Sequence, residues 1–238
     1  ETVAVAARFD DVKIILSIGL DDRSAFSTHL FGEILTYTPA VITHPQREGG
    51  RVIDDAETRP ALLDVTSDGI ELRAISSMED DPRTVTDAET IAVVDPGTVM
   101  DVDTCLQRYD TRSWKSVEAT HISKSTDTKQ TTRIGFDSPQ HTKLLKKFLE
   151  QQYRRQMQRL RTMTMSASQK QFLVGIHSFQ AGSMDPMQLA DMMGLDDEKL
   201  SQLLESLVSK GLLSDTDIPD LTPLGRIAAT EKLDDVNI

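Results

Sequence analysis

The sequence predicts an α+β protein: antiparallel, barrel-like β-rich domains, each closed by a C-terminal helix, with an all-helical domain behind them. Three observations carry this expectation. Short runs of alternating apolar residues recur between turn residues as far as Phe136. A strand-to-helix junction, Ile18-Gly19-Leu20-Asp21, returns as Ile134-Gly135-Phe136-Asp137. Beyond residue 164 the apolar spacing changes to three and four, the period of helices.

The elements follow in order. A strand-like run from Val3 to Ala7 precedes a second strand, in which Val12, Ile14, Leu16 and Ile18 alternate. A helix follows with Phe26, Leu30, Ile34 and Tyr37 on one stripe, and it stops near Thr38-Pro39 because a residue before proline avoids the α region. The stretch from His44 to Ala56, with Pro45, Gly49 and Gly50, reads as a connector. Leu62, Asp64 and Thr66, the turn Ser67-Asp68-Gly69, then Ile70, Leu72 and Ala74 read as a hairpin. Ser77 to Glu89 is polar, acidic and contains Pro82, as an exposed loop would. Strands are expected near 91–94, 99–103, 114–122 and 129–136.

A long helix then begins near Ser138-Pro139, with serine as N-cap and proline at the first helical position. Its apolar stripe is Leu145, Leu149, Tyr153, Met157 and Leu160, supported by Leu144 and Phe148. Phe172, Ile176 and Phe179 mark the next helix, and Met187, Ala190 and Met193 a short one ended by Gly194. Leu200, Leu203, Leu204, Leu207 and Val208 mark a third, stopped by Gly211. Leu212-Leu213 and the polar stretch to Leu221 suit a small wing, before a last helix opening at Leu221-Thr222-Pro223-Leu224-Gly225-Arg226.

Many antiparallel strands closed by one helix is the order of a pleckstrin-homology-like barrel, and three helices with a small wing describe a winged helix. The expected division is a remnant of a first β-rich domain over 1–43, a connector over 44–58, a second β-rich domain over 59–163 ending in the long helix, and a winged helix over 164–238. The chain opens on Glu1 and enters a strand at once, so its start reads as a cut inside a longer protein.

Composition narrows the function. Thirty-eight acidic residues face 26 basic ones, for a net charge of -12, and the acids are 26 Asp against 12 Glu. Dense short carboxylates of this kind are the habit of proteins from salt-loving organisms; an ordinary acidic cytosolic protein is the bland alternative. The overall field opposes nonspecific attraction to phosphate polyanions and anionic membranes. Cys105 is alone, so no intramolecular disulfide forms, and a reducing cytoplasm fits.

A winged helix suggests DNA binding, in which the third helix enters the major groove among phosphates. Here that helix carries Asp196, Asp197, Glu198 and Glu205 against Lys199 and Lys210, and residues 164–238 hold 12 acids and five bases. Packing or partner docking suits it better than specific DNA binding.

The long helix departs from the rest of the chain. Lys143, Lys146, Lys147, Arg154, Arg155, Arg159 and Arg161 face one acid, Glu150, so this segment is +6 and the remainder -18. Three readings stand: pairing with acidic faces of the same protein or plain solvation, a docking face for an acidic protein partner, and a membrane-surface helix. The first six of these cations are the candidate partner-binding residues, with Lys146, Arg154, Arg155 and Arg159 the best candidates for exposure. Nothing points to catalysis, a metal or a cofactor. The five histidines are not at metal-ligand spacing, carboxylate pairs such as Asp21-Asp22 and Asp80-Asp81 lie in loops, and Gly49-Gly50 is more simply a turn than a phosphate loop.

Two stretches carry a family resemblance. Thr43-His44-Pro45-Gln46-Arg47-Glu48-Gly49-Gly50-Arg51-Val52 resembles the inter-domain stretch of the CheF family of archaeal taxis adaptors. Leu221-Thr222-Pro223-Leu224-Gly225-Arg226 with Leu233-Asp234-Asp235-Val236-Asn237 resembles that family's tail. The resemblance implies a cytoplasmic, non-enzymatic connector without cofactor. It would take the signal from the phosphorylated response regulator CheY and pass it to the switch proteins of the archaellum motor. A transcription regulator built on the winged helix is the main alternative, and a phosphoinositide or membrane-surface reader the second.

Clustered carboxylates repel more as screening weakens. Lowering KCl from 1 M to 0.01 M lengthens the Debye length from about 3 Å to about 30 Å, so the melting temperature should fall along that series. Circular dichroism melts give the answer, and a melting temperature that holds or rises toward low salt removes the halophile argument.

Overall fold

In the computed structural model the described residues are 2–9, 12–19, 34–49, 51–53, 56–66, 69–79, 88–123, 125–179, 186–216 and 219–230. Strands β1 (Thr2–Phe9) and β2 (Val12–Gly19) form an antiparallel pair of their own. The expected helix at Phe26 and Leu30, the junction after Gly19 and the tail at 233–237 lie outside the described residues.

The second sheet holds eight strands: β3 (Thr38–Glu48), β4 (Arg51–Val52), β5 (Thr58–Thr66), β6 (Gly69–Ala74), β7 (Thr90–Val94), β8 (Val99–Tyr109), β9 (Arg112–Ile122) and β10 (Lys129–Gly135). Their spatial order is β7-β6-β5-β3-β10-β9-β8, with β4 paired to β3 off this path. Every neighbouring pair is antiparallel. The sheet is open, because no ladder joins its edge strands β7 and β8. Those two are consecutive in the chain, linked through a short 3-10 turn over Pro96–Thr98 whose first N–H groups are met by Asp95.

Residues 44–48, expected in a connecting loop, are instead the end of the central strand β3. Pro45 reads as a breaker because it has no N–H to donate. Between the pairs Thr131↔Arg47 and Arg133↔Thr43, however, three residues of β3 oppose Thr132 alone. This bulge leaves Pro45 where no ladder bond is needed. Two residues of the expected apolar stripe before β3, Ile34 and Tyr37, are exposed, and Leu35 is buried in their place.

After the sheet come α1 (Pro139–Thr162), α2 (Ala167–Phe179), α3 (Pro186–Met192), α4 (Asp197–Ser209) and α5 (Pro223–Thr230). A single antiparallel bridge, Leu213↔Leu221, stands between α4 and α5. Asp196 caps α4 by accepting from Lys199 N at 2.9 Å. Its end is a Schellman turn: Gly211 has φ +69°, Leu212 N donates to Leu207 O and Gly211 N to Val208 O. The architecture is therefore α+β, an open antiparallel sheet joined to helices.

Two cores result. One sits on the inner sheet face, where Ala40, Ile42, Leu63, Leu72, Val117, Ala119 and Ile134 meet Leu145, Phe148 and Leu149 of α1. The other gathers Leu160, Phe172, Leu203, Leu207, Leu224 and Ile227 from the helices with Met100 and Ile122 from the sheet. Each fully buried Leu, Ile or Phe contributes roughly 1.5–3 kcal/mol.

The inner face turns polar at one end. His121, fully buried, places Nε2 2.9 Å from Thr132 Oγ1, and His44 places Nδ1 2.8 Å from the same oxygen. His121 Nδ1 has no partner. Thr132 Oγ1 therefore bridges the two rings, with a hydroxyl that has one proton to give and lone pairs to accept. Burial, and secondarily the neighbouring His44, lowers the His121 pKa to about 4. The His44 pKa is also lowered, by burial and then by Arg59, against a smaller opposing effect of Glu48.

A histidine depressed in the fold binds its proton more readily in the unfolded chain, where its pKa is about 6.5. Its contribution to stability is complete above pH 6.5 and declines as pH falls toward 4. Between pH 7.5 and 5 His121 alone should cost about 2 kcal/mol. Urea titrations at the two pH values measure the loss, and His121→Gln should flatten the dependence; equal stability at both contradicts the neutral buried histidine.

Candidate functional site

The candidate site is the outer face of α1. Between Pro139 at the first turn and an extended Met163 at the end, its sequence is mostly Leu, Lys, Gln and Arg, strong helix formers without glycine. Ser138 occupies the N-cap position but its side chain makes no capping bond. Instead Ser138 O accepts from His141 N and Thr142 N, so the expected serine cap is made by backbone alone. Thr142, Leu145, Phe148, Leu149 and Leu160 are buried; the opposite side faces out.

At about 100° per residue, the candidate cations divide into two groups. Lys143, Lys146, Lys147 and Arg154 lie together opposite the buried stripe, and Arg161 joins them. Arg155 and Arg159 lie round the helix, toward the flank of Phe148. Exposure follows this division only in part: Lys143, Lys147 and Arg154 of the first group are exposed and so is Arg159, whereas Lys146 and Arg155, expected among the most exposed, are half-buried. Glu150 stands among the first group, its Oε1 3.6 Å from Lys146 Nζ and its Oε2 4.0 Å from Arg154 Nη2.

Arg159 has a neighbour in the helical unit. Its guanidinium lies over Gly211, so close that a Cβ there would stand 3.1 Å from Nη2. Gly211 closes α4, so this places a cation at the negative end of that helix. Lys210 works from the other side, donating Nζ to Thr164 O and to Gln169 Oε1, both at 2.8 Å. Gln169 Nε2 in turn donates to Ser206 Oγ at 2.8 Å.

Of the two stretches singled out in the sequence, the described parts at 43–49 and 221–226 are engaged inside the fold. Thr43 donates to Gln107 Oε1, Gln46 accepts from Arg133 Nη1, and Glu48 accepts from Gln130 Nε2. At the other stretch, Thr222 Oγ1 donates to Gly211 O and accepts from Gly225 N. Gly225 is required there, since a Cβ would fall 2.0 Å from Leu212 O. Arg226 pairs with Asp127 in the turn between β9 and β10 and, at 3.3 Å, with Asp220. Reading the sequence missed the Asp127 pair, for no local pattern links residues 99 apart.

Other chemistries find little support in the geometry. Among the described residues no three His, Cys, Asp or Glu side chains could hold one metal ion, and no helix is long and apolar enough to cross a membrane. Cys105 is half-buried, and burial pushes its thiol pKa up, away from a reactive thiolate. On α4, Asp196, Asp197, Glu198 and Glu205 are all exposed. Lys199 is paired to Asp196 at 2.7 Å and Lys210 is turned inward, so neither lysine of this helix is left to neutralise a phosphate.

Residues 2–155 match the family model described as archaeal chemotaxis signal transduction system protein F. The chain is also similar to the taxis protein CheF2 of Halobacterium salinarum, at 26% identity over 241 residues, covering 100% of this chain and 76% of that protein.

Because Arg159 sits at the end of α4, Arg159→Ala should cost about 1 kcal/mol of stability, whereas Lys143→Ala should change it by less than about 0.5 kcal/mol. Chemical denaturation of the two variants separates these roles. Equal, negligible losses would remove Arg159 from the contact between units.

Proposed function

The chain belongs to the archaeal family of chemotaxis signal transduction system protein F, and on that premise we propose that it is a non-enzymatic taxis adaptor. It links the phosphorylated response regulator CheY to the switch proteins of the archaellum motor and so controls switching of rotation. It works in the cytoplasm, recruited to the motor. The β-rich part up to residue 163 is its body, and residues 164–238 form a winged-helix unit that packs and docks rather than reads DNA.

One observation carries the reading: an exposed row of cations, Lys143, Lys147 and Arg154, on a rigid helix of a chain whose net charge is -12. An acidic protein surface is the natural complement to such a row. Where salt is high, long-range steering is screened and short charge-assisted hydrogen bonds keep their worth, with arginine the best donor. The DNA-binding alternative asks the acidic face of α4 to approach phosphates, which its exposed carboxylates oppose.

Lys147→Glu combined with Arg154→Glu should weaken binding to activated CheY, to the switch proteins, or to both, by about ten-fold, with an unchanged circular dichroism spectrum. Titration calorimetry near native salt measures both partners. Unchanged affinity for both would move the docking face off α1. Micromolar, sequence-specific binding of duplex DNA in the same buffer would replace the adaptor with a regulator.

A further inference from the structure

The row of cations is not empty of anions. Glu150 is the single acid of α1, and spacing of four residues on either side sets Lys146, Glu150 and Arg154 along one ridge. Both of its pairs, at 3.6 Å and 4.0 Å, are longer than a hydrogen bond. Glu150 therefore lowers the positive potential of the face without occupying the donors of either cation. Arg154 remains 78% exposed at the side chain with its planar fork available, and Glu150 itself is two-thirds covered, held on the ridge rather than swung away.

We propose that Glu150 is a resident counter-ion that a carboxylate of the docked acidic partner displaces, so that this one residue sets how tightly the basic face of α1 holds its partner. The inference rests on the reading of α1 as the docking face and adds its regulation. An incoming carboxylate can take two parallel N–H···O bonds from Arg154 where Glu150 offers only a 4.0 Å contact. The exchange is favourable at Arg154. It is opposed by the repulsion between the incoming carboxylate and Glu150, which must turn outward or toward Lys146. The arrangement yields a partner that binds firmly enough to be recruited yet leaves readily, because the displaced anion stays tethered beside its cations and can return.

Neutralising Glu150 removes both the competitor and the repulsion. Glu150→Gln should tighten binding about three-fold, and Glu150→Lys about ten-fold, mainly through slower dissociation. The control is Glu205→Gln, which removes an exposed acid of α4 and the same unit of charge and should leave affinity unchanged. Surface plasmon resonance near native salt, with beryllofluoride-activated CheY and with the switch proteins as separate probes, gives affinity and off-rate together.

The comparison is made for whichever probe loses affinity in the Lys147→Glu, Arg154→Glu variant. If that probe binds Glu150→Gln no more tightly than the unaltered protein, the counter-ion role is overturned while the docking face stands. If neither probe responds to the double reversal, the docking face itself fails and the inference falls with it. Tightening by Glu205→Gln to the same extent would assign the effect to net charge and also overturn it.

Discussion

A single unbroken helix holds this protein together. Twenty-four residues of α1 span about 36 Å. Its first half buries Leu145, Phe148 and Leu149 in the sheet core, and its last turns bury Leu160 in the helical core. With no proline or glycine after its first residue, nothing in the backbone invites a hinge between the halves. The sheet and the helical unit are thus fastened to the same rod. Because one side of that rod is committed twice to apolar packing, the opposite side must face solvent along its whole length.

The junction between the two units is reinforced away from the rod. Met100 and Ile122 leave the sheet to join the helical core. Gly97, in the turn between the two edge strands, leaves room for Pro223 at the start of α5, which would crowd any Cβ there at 3.0 Å. Close by, Arg226 pairs with Asp127, both largely buried at the side chain. Such a pair adds little net stability, since desolvation offsets most of its attraction, but losing one partner would strand a buried charge. Its effect is to demand one arrangement of α5 against the β9–β10 turn. The Leu-Thr-Pro-Leu-Gly-Arg stretch therefore acts as a clasp, every polar member of which is matched to a partner in the fold.

Charge makes the outer side of α1 distinctive. In a chain with an excess of 12 acids, a segment of net charge +6 on a rigid support is a local inversion of the surface field. The edge strand β8 shows the more usual use of acid. Asp101 and Asp103 there turn back to accept from Val102 N and Thr104 N, closing part of an edge that could otherwise recruit another strand. Among the described residues, acid thus shields the edge strand β8 while the outer side of α1 presents cations.

The sequence by itself determined most of the strands and the helices beyond residue 138, the junction at Ile134-Gly135 that opens α1, the stripe from Leu145 to Leu160, and the acidic character of α4. Each of these is written in residues near one another, through apolar period, caps and local charge. It also carried the family, whose model matches residues 2–155. Only the tertiary structure decided that Pro45 sits in a bulge of a central strand, because whether a missing N–H matters depends on a partner strand 80 or more residues away. Likewise it was packing that divided the seven cations of α1. Arg155 was left half-buried, Arg159 was brought over Gly211 at the end of α4 while staying exposed, and Glu150 was set between Lys146 and Arg154. A helix wheel places residues at angles, but which angle becomes the outside is settled by the surfaces that meet the other side.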